Sequence, residues 1–426
     1  MKKLLLAILI LGNTIMAATI EHIEVKGMKI PLIFEQDKRL PLVTMQFIFE
    51  NGGSIADTKA GLAKFSARVM GEGTSKLGSS EFAHALESKA IHIASSTGKE
   101  TYVMELGCLK EECDDGLKHF NSLLKDPNFS EEAISKVKTT TLGGLARKEN
   151  DFDYIASTEL KALLFEGNVL AQPSSGTVES VKSIEVDDVK KFIKSTLVSS
   201  RLIVVLGGDV DLKVVKEKIS KVIETMTKGK SSKVKNYPVR ESAKENVILK
   251  ETEQAYIYFG FPYDVQVESE DYYKARVATF ILGTGGFGSR LMEEIRVKKG
   301  LAYSAYARVH VSKSSSYMSG YLQTKLDSLD EAKKTVKEVV AEFVKNGVTK
   351  DELEQTKKFL LGSEPLRVET MSQRLNRTFM DYYKGHELDH SQKELELIKK
   401  LKLKDLNKFI KEHKEILDMS FAIVTK

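Results

Sequence analysis

The chain has 426 residues, of which only two are cysteine and seven proline. Two cysteines exclude a disulfide-built scaffold, and so few prolines among 42% hydrophobic residues exclude collagen and an intrinsically disordered chain. Charge of one sign is also scarce: 65 Lys and Arg stand against 60 Asp and Glu, a formal excess of +5. Lysine alternates with Asp and Glu along most helical stretches instead of gathering on one face. That pattern argues against a nucleic-acid partner and marks the lysines as solvated surface. Beyond the N-terminus no run reaches the about 18 uninterrupted apolar residues of a membrane span, so stable membrane insertion is not expected. At about 100–200 residues per domain, the length suggests two to four domains.

What is present begins with an address. Lys2 and Lys3 precede an apolar run from Leu4 to Leu11, and Thr14-Ile15-Met16-Ala17-Ala18 offers small residues for a cut. This is the order of a secretory signal, and its core is too short to span a bilayer. The expectation is a signal peptide over 1–18 and a bacterial periplasmic or secreted product. Losing two lysines takes the charge from +5 to about +3. Neither cysteine sits at the cut, so nothing marks a lipid anchor. Cys108 and Cys113 have no histidine nearby and form no zinc motif; they either pair or remain two buried thiols.

The remainder reads as one grammar used twice. Ile20–Val25 and Ile30–Phe34 form a hairpin, and Leu42–Phe49 is a strand ended by Asn51-Gly52-Gly53. A helix of small and apolar residues follows from Ala60 to Met70, then a strand at Tyr102–Leu106, then a helix capped by Ser130. The second half repeats this with a strand at Ala255–Phe259, a helix at Tyr273–Leu282, a strand at Tyr317–Gln323 and a capping box at Thr349–Glu352. The capped helices start 349 − 130 = 219 residues apart, and the small-residue helices 274 − 60 = 214. The fold class is therefore α+β: two tandem homologous α+β domains over 19–225 and 241–426, joined by a Lys/Ser/Gly-rich linker over 226–240 and forming half of a clamshell.

Two segments carry chemistry. Gly61-Leu62-Ala63-Lys64-Phe65-Ser66-Ala67-Arg68-Val69-Met70 with Gly73-Thr74, and Gly288-Ser289-Arg290-Leu291-Met292-Glu293-Glu294-Ile295-Arg296-Val297-Lys298-Lys299-Gly300-Leu301-Ala302-Tyr303-Ser304, strongly resemble the pitrilysin family of zinc peptidases, which includes the mitochondrial processing peptidases. The resemblance covers nearly the whole chain after the signal. It implies an inverted zinc motif, H-x-x-E-H, on the first of these helices, with two imidazoles gripping the metal and a glutamate as general base. Here Lys64 and Arg68 occupy the ligand positions and Ala67 the base position. The third ligand of the family, a carboxylate about 76 residues on, falls at Gly144. Two cations repel a divalent ion and offer it no lone pair, so no metal is expected on this chain.

The second segment keeps what the first has lost. In the resemblance, an Arg and a Tyr seven residues apart reach the substrate backbone beside the zinc, and Arg296 and Tyr303 have that spacing. A guanidinium and a phenol can donate to a peptide carbonyl and to the oxyanion formed from it. The resemblance also suggests that Ala94, Ser95, Ser96 and Thr97 form a sheet edge on which peptide substrates pair. It implies a non-catalytic subunit that binds no cofactor itself and works on unstructured peptides. A homologous partner would carry the intact H-x-x-E-H and the zinc. A peptide-binding pseudoenzyme without proteolysis is the alternative, and an autonomous zinc peptidase the third.

That third reading rests on His386-Glu387-Leu388-Asp389-His390, which matches H-E-x-x-H. Gly385 precedes it and the apolar period resumes only at Leu395, so the segment reads as an exposed polar loop instead of a zinc helix. Gly283-Thr284-Gly285-Gly286-Phe287-Gly288 matches G-x-G-x-x-G, but it follows a helix where a dinucleotide fingerprint must follow a strand.

Overall fold

The computed structural model describes residues 18–240 and 242–426. The signal reading over 1–18 lies, except for Ala18, outside the described residues. The first half contains β1 (Thr19–Val25), β2 (Met28–Gln36), β3 (Leu42–Glu50), β4 (His92–Thr97), β5 (Thr101–Leu109) and β6 (Leu202–Gly208). They form one sheet in the order β1-β2-β6-β3-β5-β4. The second half contains β7 (Glu245–Leu249), β8 (Gln254–Pro262), β9 (Ala305–Val311), β10 (Ser316–Lys325) and β11 (Ser420–Thr425), in the order β7-β11-β8-β10-β9. Without β1 the two orders are the same. The pairing senses also agree, since β2–β6 and β7–β11 are parallel and all other neighbours antiparallel.

Eight helices belong to the first half: α1 (Leu62–Met70), α2 (Gly78–Glu87), α3 (Cys113–Lys125), α4 (Glu131–Lys148), α5 (Phe152–Leu164), α6 (Val178–Lys182), α7 (Val186–Thr196) and α8 (Leu212–Glu224). The second half adds α9 (Tyr272–Thr279), α10 (Arg290–Met292), α11 (Leu329–Asn346), α12 (Lys350–Gly362), α13 (Met371–Lys384), α14 (His390–Lys400) and α15 (Leu403–Glu412). The capping signals are realised: Ser130 accepts from the Ala133 amide, and Thr349 and Glu352 form a reciprocal box. No described helix is long and apolar enough to cross a membrane.

β6 and β11 are buried at every position, because each is covered on both faces. In β6, Leu202, Val204 and Leu206 enter the core of their own half, while Ile203 and Val205 meet Leu375 and Tyr383 of α13. In β11, Phe421 and Ile423 enter their own core, while Ala422 meets Leu160 and Leu164 of α5. Each half thus lends one helix to the outer face of the other's sheet: α5 lies on β8 and β11, and α13 on β2 and β6. Burying such apolar side chains contributes about 1.5–3 kcal/mol each.

Polar contacts reinforce both exchanges. Asp153 of α5 accepts from Tyr258 Oη and Gln323 Nε2, both at 3.2 Å. On α13, Arg374 donates through Nε and Nη2 to Oε1 of the buried Glu35, at 2.9 and 2.5 Å. The segment between α8 and β7 carries no regular structure among the described residues, yet Tyr237 donates its amide to Ser314 and Val239 is buried. Cys108, the penultimate residue of β5, and Cys113, which opens α3, are both buried, free thiols.

Candidate functional site

α1 begins where Gly61 adopts φ +85°, with the Gly176 backbone 2.6 Å from where a Cβ would stand. No residue with a side chain fits there. The half-buried Asp57 accepts from the amides of Gly61 and Ala63 at 3.0 and 2.6 Å and so fixes the first turn. Lys64 and Arg68, four residues apart, then share one face and turn it toward α4. Arg68 donates to Thr141 Oγ1 at 2.7 Å, and Lys64 and Lys148 both reach Ser175 Oγ, at 3.2 and 3.3 Å. Thr141 and Lys148 lie one turn either side of Gly144, so the fold brings Lys64, Arg68 and Gly144 together.

This arrangement does not fit zinc. A side chain at Gly144 would find open space, its nearest neighbour being Arg147 Nη2 at 3.9 Å. The position holds no carboxylate, and the neighbour nearest to it is a cation. Ala67 is buried in the core of the first half and offers no base. Burial, with Lys148 and Arg68 close by, lowers the pKa of Lys64.

Beside α1 runs β4, which pairs with β5 on one side only. Ala94, Ser95, Ser96 and Thr97 lie on this open edge, with Ser95 Oγ held by Tyr102 Oη at 2.6 Å. Main-chain groups along such an edge are available to an added strand.

Arg296 and Tyr303 lie in the other half. A wide, π-helical stretch over Glu293–Lys298 presents Arg296, and Tyr303 stands just before β9, the corresponding edge strand. The guanidinium is sandwiched, 4.6 Å from the Phe287 ring and 4.3 Å from the Tyr303 ring. Phe287 was not legible as part of this pair from spacing alone. Tyr303 is 82% exposed, and neither its hydroxyl nor the edge of Arg296 has a hydrogen-bond partner among the described residues. No hydrogen bond or ion pair links these two side chains to α1. The glycine run before them makes the π-helical turn Phe280–Thr284, and a Cβ on Gly283 would stand 2.3 Å from the Ala307 amide nitrogen. Close packing on β9 explains that glycine, not a dinucleotide.

The H-E-x-x-H segment is a loop after α13 up to Asp389, with His390 opening α14, but His386 is not exposed as the sequence suggested. Its Nε2–H donates to the Val267 carbonyl at 2.7 Å, and its ring stacks on His390 at 3.8 Å. Stacked, near-parallel imidazoles keep their lone pairs in separate planes, and no third ligand joins them among the described residues.

A cavity of about 460 Å³ lies between the halves, bordered by Lys64, Lys99, Lys161 and His310. His310 stacks on Tyr317 at 4.5 Å, and burial, then Lys99, Arg308 and Lys161, hold it down to about 4. Unfolded, it titrates near its ordinary 6.5. As pH falls through that interval the unfolded chain takes a proton that the fold refuses. Stability is therefore lost from about pH 6.5 to about pH 4, by up to about 3 kcal/mol. In denaturation measured at about pH 7 and about pH 4.5, His310→Gln should narrow the difference. An unchanged difference contradicts this assignment.

A duplicated α+β chain with a helix for metal ligands in one half and an Arg–Tyr pair in the other has the layout of a pitrilysin-type peptidase. Residues 37–178 match Insulinase (Peptidase family M16), and residues 183–360 match the Peptidase M16 inactive domain. The chain is 42% identical over 427 residues to the Helicobacter pylori protein called non-peptidase homolog YmxG, covering 100% of this chain and 99% of that one. It is 25% identical over 317 residues to the Bacillus subtilis protein called uncharacterized zinc protease YmxG, covering 74% and 76%. The solved structure of a peptidase M16 inactive domain from Pseudomonas fluorescens superposes with a TM-score of 0.87 at 21% identity, over 95% of this chain and 97% of that one. The chain belongs to peptidase family M16.

Proposed function

We propose that this chain is a non-catalytic subunit of a two-chain metallopeptidase. A homologous partner carrying H-x-x-E-H brings the zinc and the general base. This chain supplies two things: the edge of β4, on which an extended peptide adds as a strand, and the donors Arg296 and Tyr303. The carrying observation is the contrast between a cationic former metal position and an Arg–Tyr pair whose donors are unused. Phe287 and Tyr303 hold the guanidinium by its faces, leaving its N–H edge to meet a peptide carbonyl and, as charge develops, the oxyanion. Export to the envelope belongs to the same reading, supported by the N-terminal segment; N-terminal sequencing should find a mature start close to Ala18.

Co-expression with homologues that carry the intact motif tests the proposal. The purified chain alone should hold no stoichiometric zinc and cleave no unstructured peptide, whereas the mixture should cleave. One zinc per isolated chain, lost on His386→Ala, would overturn it. A second reading, capture of peptides without cleavage, is favoured by the name non-peptidase homolog given to the Helicobacter pylori relative. Peptide binding with no activity beside any homologue would select it.

A further inference from the structure

The cavity between the halves has an unusual lining. Lys64, Thr97, Lys99 and Lys161 come from the first half, and His310 and Tyr317 from the second. Lys99 donates to Ser315 Oγ at 2.8 Å, and Lys64 to Ser175. Lys161 has no side-chain hydrogen bond among the described residues. None of these ammonium groups forms an ion pair there. Two carboxylates of the region are already engaged. Glu100 accepts from the Ser314 amide at 2.6 Å and Tyr383 Oη at 2.9 Å, and Asp153 is held by Tyr258 and Gln323.

Lys64 and Lys99 are half-buried and Lys161 stands exposed at the cavity's edge, and three cations gathered without a counter-charge are unexpected, since they repel one another and partial desolvation disfavours the ammonium. Burial lowers the pKa of all three. The volume falls in the range of ligand pockets. Its position adds direction: Thr97, the last residue of β4, borders the cavity, and Lys64 stands on the helix alongside that strand. A peptide pairing with β4 would be led into it.

We propose that this cavity is a carboxylate pocket, in which Lys64, Lys99 and Lys161 hold the C-terminal carboxylate or an acidic side chain of a peptide lying along β4. This rests on the peptide-binding reading above and adds the substrate class: acidic or carboxyl-terminal segments. The former metal helix contributes a cation to a bound anion.

The test uses the full chain and three fluorophore-labelled decapeptides of Ala, Ser and Gly: one amidated and uncharged, one with a free C-terminus, and one amidated with two internal glutamates. Fluorescence anisotropy should show one or both charged peptides binding about 10- to 100-fold tighter than the neutral one. Which of them gains identifies the terminus or the side chain as the group held. Lys99→Met and Lys161→Met should each reduce that preference while raising the Tm of the empty chain, a pairing that a purely structural lysine would not give. Equal binding of all three peptides, or a preference that survives both substitutions, overturns the proposal. If no peptide binds, the peptide-holding reading fails, and glutarate decides for the pocket. A glutarate-induced rise in Tm that Lys161→Met abolishes upholds the pocket, and no rise overturns it.

Discussion

In the proposed two-chain peptidase, Arg296→Ala and Tyr303→Phe should each lower kcat/KM by about 10- to 1,000-fold, the range for losing one donor to a developing oxyanion. The two should fail differently. Tyr303→Phe keeps the ring that stacks on Arg296 and loses only the hydroxyl, so the loss should fall on kcat. Arg296→Ala removes the charge and unstacks both rings. Phe287→Ala leaves both donors in place but frees one face of the guanidinium, so Phe287 is a positioning residue. Its variant should recover part of its activity as Phe287→Tyr. Assembly, read by co-purification, should be intact throughout. Variants at 296 and 303 that assemble and cleave at the unmodified rate would leave the Arg–Tyr pair without a catalytic part.

Arg374→Ala should destabilise the fold by about 3–5 kcal/mol, the cost of leaving a buried charge without its partner. Glu35 is 2% exposed, and Arg374 is the only basic group paired with it among the described residues. Arg374 also donates to the carbonyls of Val368 and Glu369 at 2.9 and 2.7 Å, so its loss strands acceptors as well. The double replacement Glu35→Leu with Arg374→Met removes both charges and should recover most of the loss. By contrast, Lys110→Ala, which breaks an exposed pair with Asp209, should cost about 0–1 kcal/mol. Urea denaturation checks all three, and a loss below about 1 kcal/mol for Arg374→Ala would contradict the account.

The repeated order of elements along the chain was legible because its signals are local: β-branched and aromatic runs bounded by turn residues, and caps such as Ser130 and Thr349. The Arg296–Tyr303 spacing was legible because one short segment contains both residues. What the sequence hid depends on long-range placement. Nothing in the period of α5 or α13 says which sheet it covers. Lys64, Lys99 and Lys161 are far apart in the chain and look like solvated surface among 65 basic residues. Only the meeting of the halves makes them neighbours. His386 reads as exposed because its neighbours are polar, whereas its burial comes from Val267, 119 residues away.

The exchange of α5 and α13 has a consequence for ancestry. Two copies of a single half, each offering its helix to the other, would close into the same object as a symmetric homodimer. The covalent chain is such a dimer with its protomers fused, and the Thr225–Lys244 segment raises the effective concentration at which they meet. Fusion removes the constraint that both protomers carry one sequence. Each half can then specialise, and in this chain the first gathers lysines where the second keeps an arginine and a tyrosine.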